Sequence, residues 1–188
     1  MELELVTPPT TEPLSLAEAK AHAVIPEDLI DDDVLLGTYL TAAREYCEQF
    51  TSRVFAEATY RQIYTGFPGA VLCAYRAPVA SWGAFEYLGL DGTTWTPVES
   101  SLYYASTASA RIVLNNGLSW PTPFDRVENV RVTYTAAPSA AVPQSVLQAI
   151  RLLFTEFCAH REASMTTASV LEAPFGVRAL LGPHIRRW

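Results

Sequence analysis

The sequence predicts an α+β protein: a small α-helical bundle, an antiparallel β domain inserted into it, and an extended C-terminal tail. Three observations carry this. Leu36, Leu40, Ala43, Cys47 and Phe50 recur at helical spacing. From about Glu57 the period shifts toward two, with β-branched and aromatic residues in short runs between turn residues. A second helical face, Val146, Ile150, Leu153 and Phe157, follows the strand-rich region. Because strands lie between two helical blocks, the economical arrangement packs the later helix on the earlier one and leaves the strands as an insertion.

Each element has its own local signal. Residues 1–14, with prolines at 8, 9 and 13, read as an extended arm with little capacity for regular structure. The helical part, 15–56, opens on Ser15-Leu16-Ala17-Glu18, a capping box. The short helix after it runs to about His22 and must end before Pro26. Asp31-Asp32-Asp33 offers an N-cap and negative charge at the positive end of a second helix, whose apolar stripe Leu35, Tyr39 and Tyr46 widen. The inserted β domain, 57–136, has strands expected at 60–65, 71–74, 85–88, 95–98, 103–105, 111–114 and 130–135. Asp91-Gly92 reads as a type I′ hairpin turn, and Asn116-Gly117 closes another run. Pro143, at a first-turn position, opens the helix that completes the helical part at 137–162, with Leu147 and Phe154 beside its main face. Residues 163–188 form a docking tail, apolar in places but broken by Pro174, Gly176, Gly182 and Pro183, and such a segment is expected to need a partner to bury it.

Composition limits what the chain can do. Its 188 residues, 49% hydrophobic, are enough for a core and too apolar for disorder. Thirteen Lys+Arg against 20 Asp+Glu give a net charge of −7, which argues against gripping nucleic-acid phosphates. No stretch is uniformly apolar over the roughly 20 residues that a bilayer requires. Met1-Glu2-Leu3-Glu4 lacks the positive charge and apolar run of a signal peptide, so use inside a cell is expected. Cys47, Cys73 and Cys158 are odd in number and widely spaced, and read as small buried side chains.

Catalytic patterns are missing. The chain has no G-x-S-x-G, H-E-x-x-H or phosphate-binding glycine loop, so no catalytic residue, cofactor or metal is expected. His22, His160 and His184 fall on a short helix, a helix end and the tail. The Asp31-Asp32-Asp33 cluster lacks the ligand spacing of a calcium loop and is assigned to helix capping or to an acidic surface. Charge is also unevenly placed: residues 1–33 hold nine acidic residues against Lys20, whereas beyond Glu172 the charged residues are Arg178, Arg186 and Arg187. One acidic end and one basic end would let copies or partners meet head to tail.

The order of certain strings then matters. Leu14-Ser15-Leu16-Ala17-Glu18-Ala19-Lys20-Ala21-His22, the acidic run, and Ala42-Ala43-Arg44-Glu45-Tyr46-Cys47-Glu48-Gln49-Phe50-Thr51-Ser52-Arg53 are followed by Ala77-Pro78-Val79-Ala80-Ser81 and Val130-Arg131-Val132-Thr133-Tyr134-Thr135-Ala136. Val142-Pro143 and Pro174-Phe175-Gly176-Val177-Arg178-Ala179-Leu180-Leu181 complete the series. In this order the chain resembles the tailed-phage head–tail connectors, the gp6-like head completion or adaptor proteins found also in gene transfer agents. It departs from them at Ala23-Val24-Ile25-Pro26, at Ser52 and at Ala137-Pro138.

The resemblance implies a structural adaptor: a homo-oligomeric ring, dodecameric, seated under the portal protein at the virion neck. Such a ring joins the DNA-filled head to a stopper or tail-completion protein and leaves a channel through which DNA passes without specific binding. Portal contact is expected from the tail, through Phe175, Val177, Leu180, Leu181 and Trp188 as apolar anchors and Arg178, Arg186 and Arg187 against acidic portal surface. The alternative is a tail-associated binding module that presents Trp82, Trp95, Trp120, Tyr103 and Tyr104 to carbohydrate or a receptor.

Overall fold

The computed structural model describes residues 1–160 and 175–186. It is a mixed α+β chain with, among the described residues, four α-helices and two antiparallel sheets. Two compact units divide it: residues 1–10 with 56–139, and residues 11–55 with the described residues from 140 onward.

The first unit is all β. Strands β1 (Glu2–Thr7), β2 (Ala58–Tyr64), β4 (Val79–Leu88), β5 (Trp95–Pro97) and β8 (Val130–Ala136) form one sheet in the order β1-β2-β8-β4-β5. The second sheet, β3-β7-β6, is made of β3 (Val71–Cys73), β6 (Tyr103–Ser106) and β7 (Arg111–Leu114). Strands β2 and β8 alternate strictly between buried and half-buried positions, as a period of two demands. They pair with Tyr60 opposite Tyr134. Tyr64, Phe85, Val130 and Val132 of the larger sheet share a core with Leu72 and Ile112 of the smaller one.

Three local readings are corrected. The arm expected at 1–14 is β1 over its first half, because the prolines begin only at 8 and leave Glu2–Thr7 free to pair along β2 with Leu3 opposite Gln62. Strand β4 is ten residues long where 85–88 was expected. Its pairing with β8 shifts register between Val79 and Ser81 and again between Trp82 and Phe85, so bulges break the alternation that would have revealed it. Gly83 lies in the second shift, where an added Cβ would sit 3.1 Å from the Thr133 carbonyl oxygen. The turn at Asp91-Gly92 is not type I′, since only Gly92 has positive φ, at 69°. Instead the Asp91 carboxylate accepts the N–H groups of Thr93 and Thr94, each at 3.0 Å, and hydrogen bonding from the Thr94 side chain together with these two N–H groups holds its pKa well below the usual carboxylate range.

The second unit is helical: α1 (Leu16–His22), α2 (Asp33–Thr51), α3 (Gln144–Ala159) and α4 (Phe175–Leu181). Ser15 and Glu18 form the capping box of α1, with Glu18 N to Ser15 Oγ at 3.2 Å and Ser15 N to Glu18 Oε2 at 3.0 Å. Leu36, Leu40, Ala43 and Cys47 of α2 meet Val146, Ala149, Ile150, Leu153 and Phe154 of α3 in one core. Pro143 stands at the N-cap of α3, one residue earlier than its first turn. The largest difference is in the tail. Its 175–181 stretch was expected to need a partner for burial, yet it is helical and puts Val177 and Leu181, each 0% exposed, into this same core. Apolar residues four apart give even a two-turn helix one burying face, and α3 supplies the surface.

Burial raises the pKa of the Cys47 thiol to about 12, with the nearby Glu48 adding to the effect. Cys47 should therefore resist maleimide at pH 8 in the folded protein and react once urea unfolds it, which mass spectrometry of the modified peptide would show.

Candidate functional site

The features with functional potential lie at the two ends of α2. At its N-terminal end, the chain between α1 and α2 is held by Lys20, a residue only 3% exposed. Its ammonium donates to the carbonyls of Glu27 at 3.2 Å and Leu29 at 2.7 Å and to Asp33 Oδ1 at 2.9 Å. A buried ammonium must be satisfied on its donors, and this set of acceptors fixes the loop. Upstream, the Val24 N–H bonds the Ala21 carbonyl at 3.3 Å and the Ile25 N–H bonds the Lys20 carbonyl at 2.9 Å, a Schellman closure of α1. The residue in its left-handed position is Val24, φ +57°, where glycine is usual. Of the three aspartates singled out from the sequence, Asp31 is exposed, Asp32 occupies the N-cap without a side-chain capping bond, and Asp33 pairs with Lys20.

The C-terminal end of α2 is basic. Ser52 ends the helix in the left-handed conformation at φ 55°. The Arg186 N–H bonds the Thr51 carbonyl at 2.9 Å, and Arg53 Nε donates to the His184 carbonyl at 2.8 Å. His184 Nε2 lies 2.7 Å from Ser145 Oγ. This serine–histidine contact ties the tail to the start of α3; among the described residues no carboxylate bonds the other ring nitrogen, as a nucleophilic triad would require.

The tail residues assigned to portal contact thus separate. Val177 and Leu181 are inside the unit, Leu180 and Arg186 are half-buried, and Arg178 is exposed. The Phe175 side chain, Arg187 and Trp188 lie outside the described residues. Local sequence signals missed both ends of α2, because Lys20, Asp33 and the 184–186 stretch act through partners far away in the chain.

The aromatic residues of the β unit are engaged in packing. Trp120 stacks on Phe67 with centroids 5.0 Å apart and donates to the Gly69 carbonyl at 2.7 Å. Trp82 packs on Tyr134, Tyr103 meets Phe85 edge-on, and Arg131 covers Trp95 at 4.0 Å. Trp82, Trp95, Tyr103 and Trp120 are half-buried by these contacts, and Tyr104, 66% exposed, stands apart from the cluster.

Among the described residues, no group of three or more His, Cys, Asp or Glu side chains gathers to hold a metal ion, and no helix is long and apolar enough to cross a membrane. No protein-family model and no curated protein matches the sequence. Solved structures do. A chain in the neck of an empty gene transfer agent particle, computed with C6 symmetry, is 26% identical with a TM-score of 0.78, over 100% of this chain and 97% of that one. A chain of the virion of a native gene transfer agent particle is similar at 25% identity and a TM-score of 0.76, with the same coverage of 100% and 97%. A chain in the native particle's neck, computed with C12 symmetry, is similar at 25% and 0.75, again over 100% and 97%. A likeness that spans this chain from end to end locates it in the neck of a virion-like particle, as a structural component.

Proposed function

We propose that the protein is the head–tail adaptor of a gene transfer agent or tailed phage: a ring, dodecameric, seated under the portal protein and leading DNA from the head to a stopper or tail-completion protein. The observation that carries this reading is the end-to-end likeness to chains of particle necks whose structures have C6 and C12 symmetry. The net charge of −7 is in keeping with it, because a conduit that does not attract phosphates lets DNA pass. The role calls for no catalysis, cofactor or membrane.

Contact with portal falls to the tail. Arg178 and Leu180 supply exposed charge and a half-buried apolar flank, and Arg187, Trp188 and Phe175 extend the set; Val177 and Leu181 support it from inside. Cutting the chain at residue 172 would remove α4 from the core and confound folding with binding. The cleaner test is Arg178→Glu combined with removal of Arg187 and Trp188. Compared at a temperature where circular dichroism shows both proteins folded, this variant should bind portal-bearing heads about tenfold or more weakly than the parent, the scale of reversing charges at an interface. Unchanged affinity would remove the tail from the portal contact.

A further inference from the structure

We propose that the loop at the N-terminal end of α2 docks onto the C-terminal end of α2 in a neighbouring copy of this chain, and that this head-to-tail joint is the lateral contact of the ring. The inference rests on the ring reading above and adds which surfaces meet.

The loop has the marks of a built contact. Five apolar side chains between residues 24 and 35 face solvent: Val24 is 89% exposed, Val34 88%, Ile30 67%, Leu29 46% and Leu35 38%. So dense an apolar run over a short loop and the first turn of α2 is what interfaces show, whereas single exposed residues are ordinary. The loop is also pre-shaped, because the three bonds of Lys20 hold its backbone before any partner arrives. Val24 adds a cost to the free protein, since a β-branched residue at φ +57° is strained where glycine would be relaxed.

Charge names the occupant. Exposed Glu27, Asp28 and Asp31 fringe the loop. The opposite end of α2 offers the reverse: Ile185, 42% exposed, follows His184, whose neutral carbonyl accepts from the Arg53 guanidinium at 2.8 Å, and an arginine so held stays cationic. These surfaces sit at the two ends of one 19-residue helix. They are therefore about 27 Å apart and cannot meet within one molecule. A self-complementary pair at opposite ends of a rigid element joins copies heterologously, and such joints close into a ring when their rotation allows.

Two substitutions separate docking from folding. Val24→Gly relaxes the left-handed position, and Val34→Gln removes apolar surface from the first turn of α2 with a better helix former and without adding to the acidic fringe. The double variant should melt at or above the parent temperature yet enter particles at least about tenfold less than the parent when the two compete. The joint itself is tested in assembled particles with Cys73 and Cys158 changed to serine, using a short bis-maleimide reagent. Ile30→Cys with Ile185→Cys in one chain should give a ladder of covalent multimers, while either cysteine alone should leave monomers. If the double-cysteine chain enters particles without forming a ladder, if a single cysteine yields dimers, or if the docking variant competes equally, the joint is wrong. Failure of the parent chain to enter particles at all would overturn the neck reading instead.

Discussion

Replacing Arg44 with methionine should lower the stability of the helical unit by about 3–5 kcal/mol, the usual cost of breaking a buried ion pair from one side. Arg44 is 2% exposed and Glu48 4%. The guanidinium donates to Glu48 Oε2 at 2.7 Å and to Glu12 Oε2 at 2.8 Å, while Glu48 Oε1 accepts the Phe55 N–H at 2.7 Å. Burial by itself would lower the Arg44 pKa, but the Glu48 and Glu12 carboxylates outweigh it and hold the pKa above its ordinary value. Without the cation, Glu48 is a buried carboxylate that has lost its counter-charge. Urea titration followed by circular dichroism measures the loss, and Arg44→Met with Glu48→Leu should recover part of it, because removing both charges removes the desolvation penalty. A loss below about 1 kcal/mol would mean that water reaches Glu48 and the pair is not truly buried.

The second large effect is expected at Gln62, a fully buried amide in β2. Its Oε1 accepts the Tyr75 N–H at 2.6 Å, and its Nε2 donates to the Cys73 carbonyl at 3.2 Å and to the Tyr64 hydroxyl. Through these bonds one side chain of the larger sheet holds the end of β3 and the chain leaving it. Gln62→Leu keeps the volume and strips those groups of their partner, which should cost about 2–4 kcal/mol from part-buried polar groups losing their bonds. Hydrogen exchange should rise first at Leu72 to Tyr75. Protection unchanged there, with stability unchanged, would show that this amide does not join the sheets.

What could be read locally was read well. The Ser15–Glu18 box, the stripe from Leu36 to Cys47 and the alternation in 58–64 and 130–136 are signals within a few residues, and short-range sterics and hydrogen bonding express them wherever the chain goes. The end-to-end order of such signals also carried the resemblance to head–tail connectors, because that resemblance lies in the order and spacing of short strings rather than in a single motif.

Other features belong to tertiary structure alone. Strand β1 exists because β2 offers it an edge, and β4 is hidden by bulges that β8 imposes. Helix α4 is stable because α3 receives Val177 and Leu181, which turned a tail that looked unburied into part of the core. Lys20 and Arg44 look like ordinary surface cations in the sequence; only when Asp33 and Glu12 come to them across 13 and 32 residues do they become buried ties. Composition and periodicity thus determined the fold class, the two kinds of element and the absence of catalytic motifs. Which apolar and charged groups remain outside for a partner was decided by long-range packing, because exposure is what is left after the core has chosen its members.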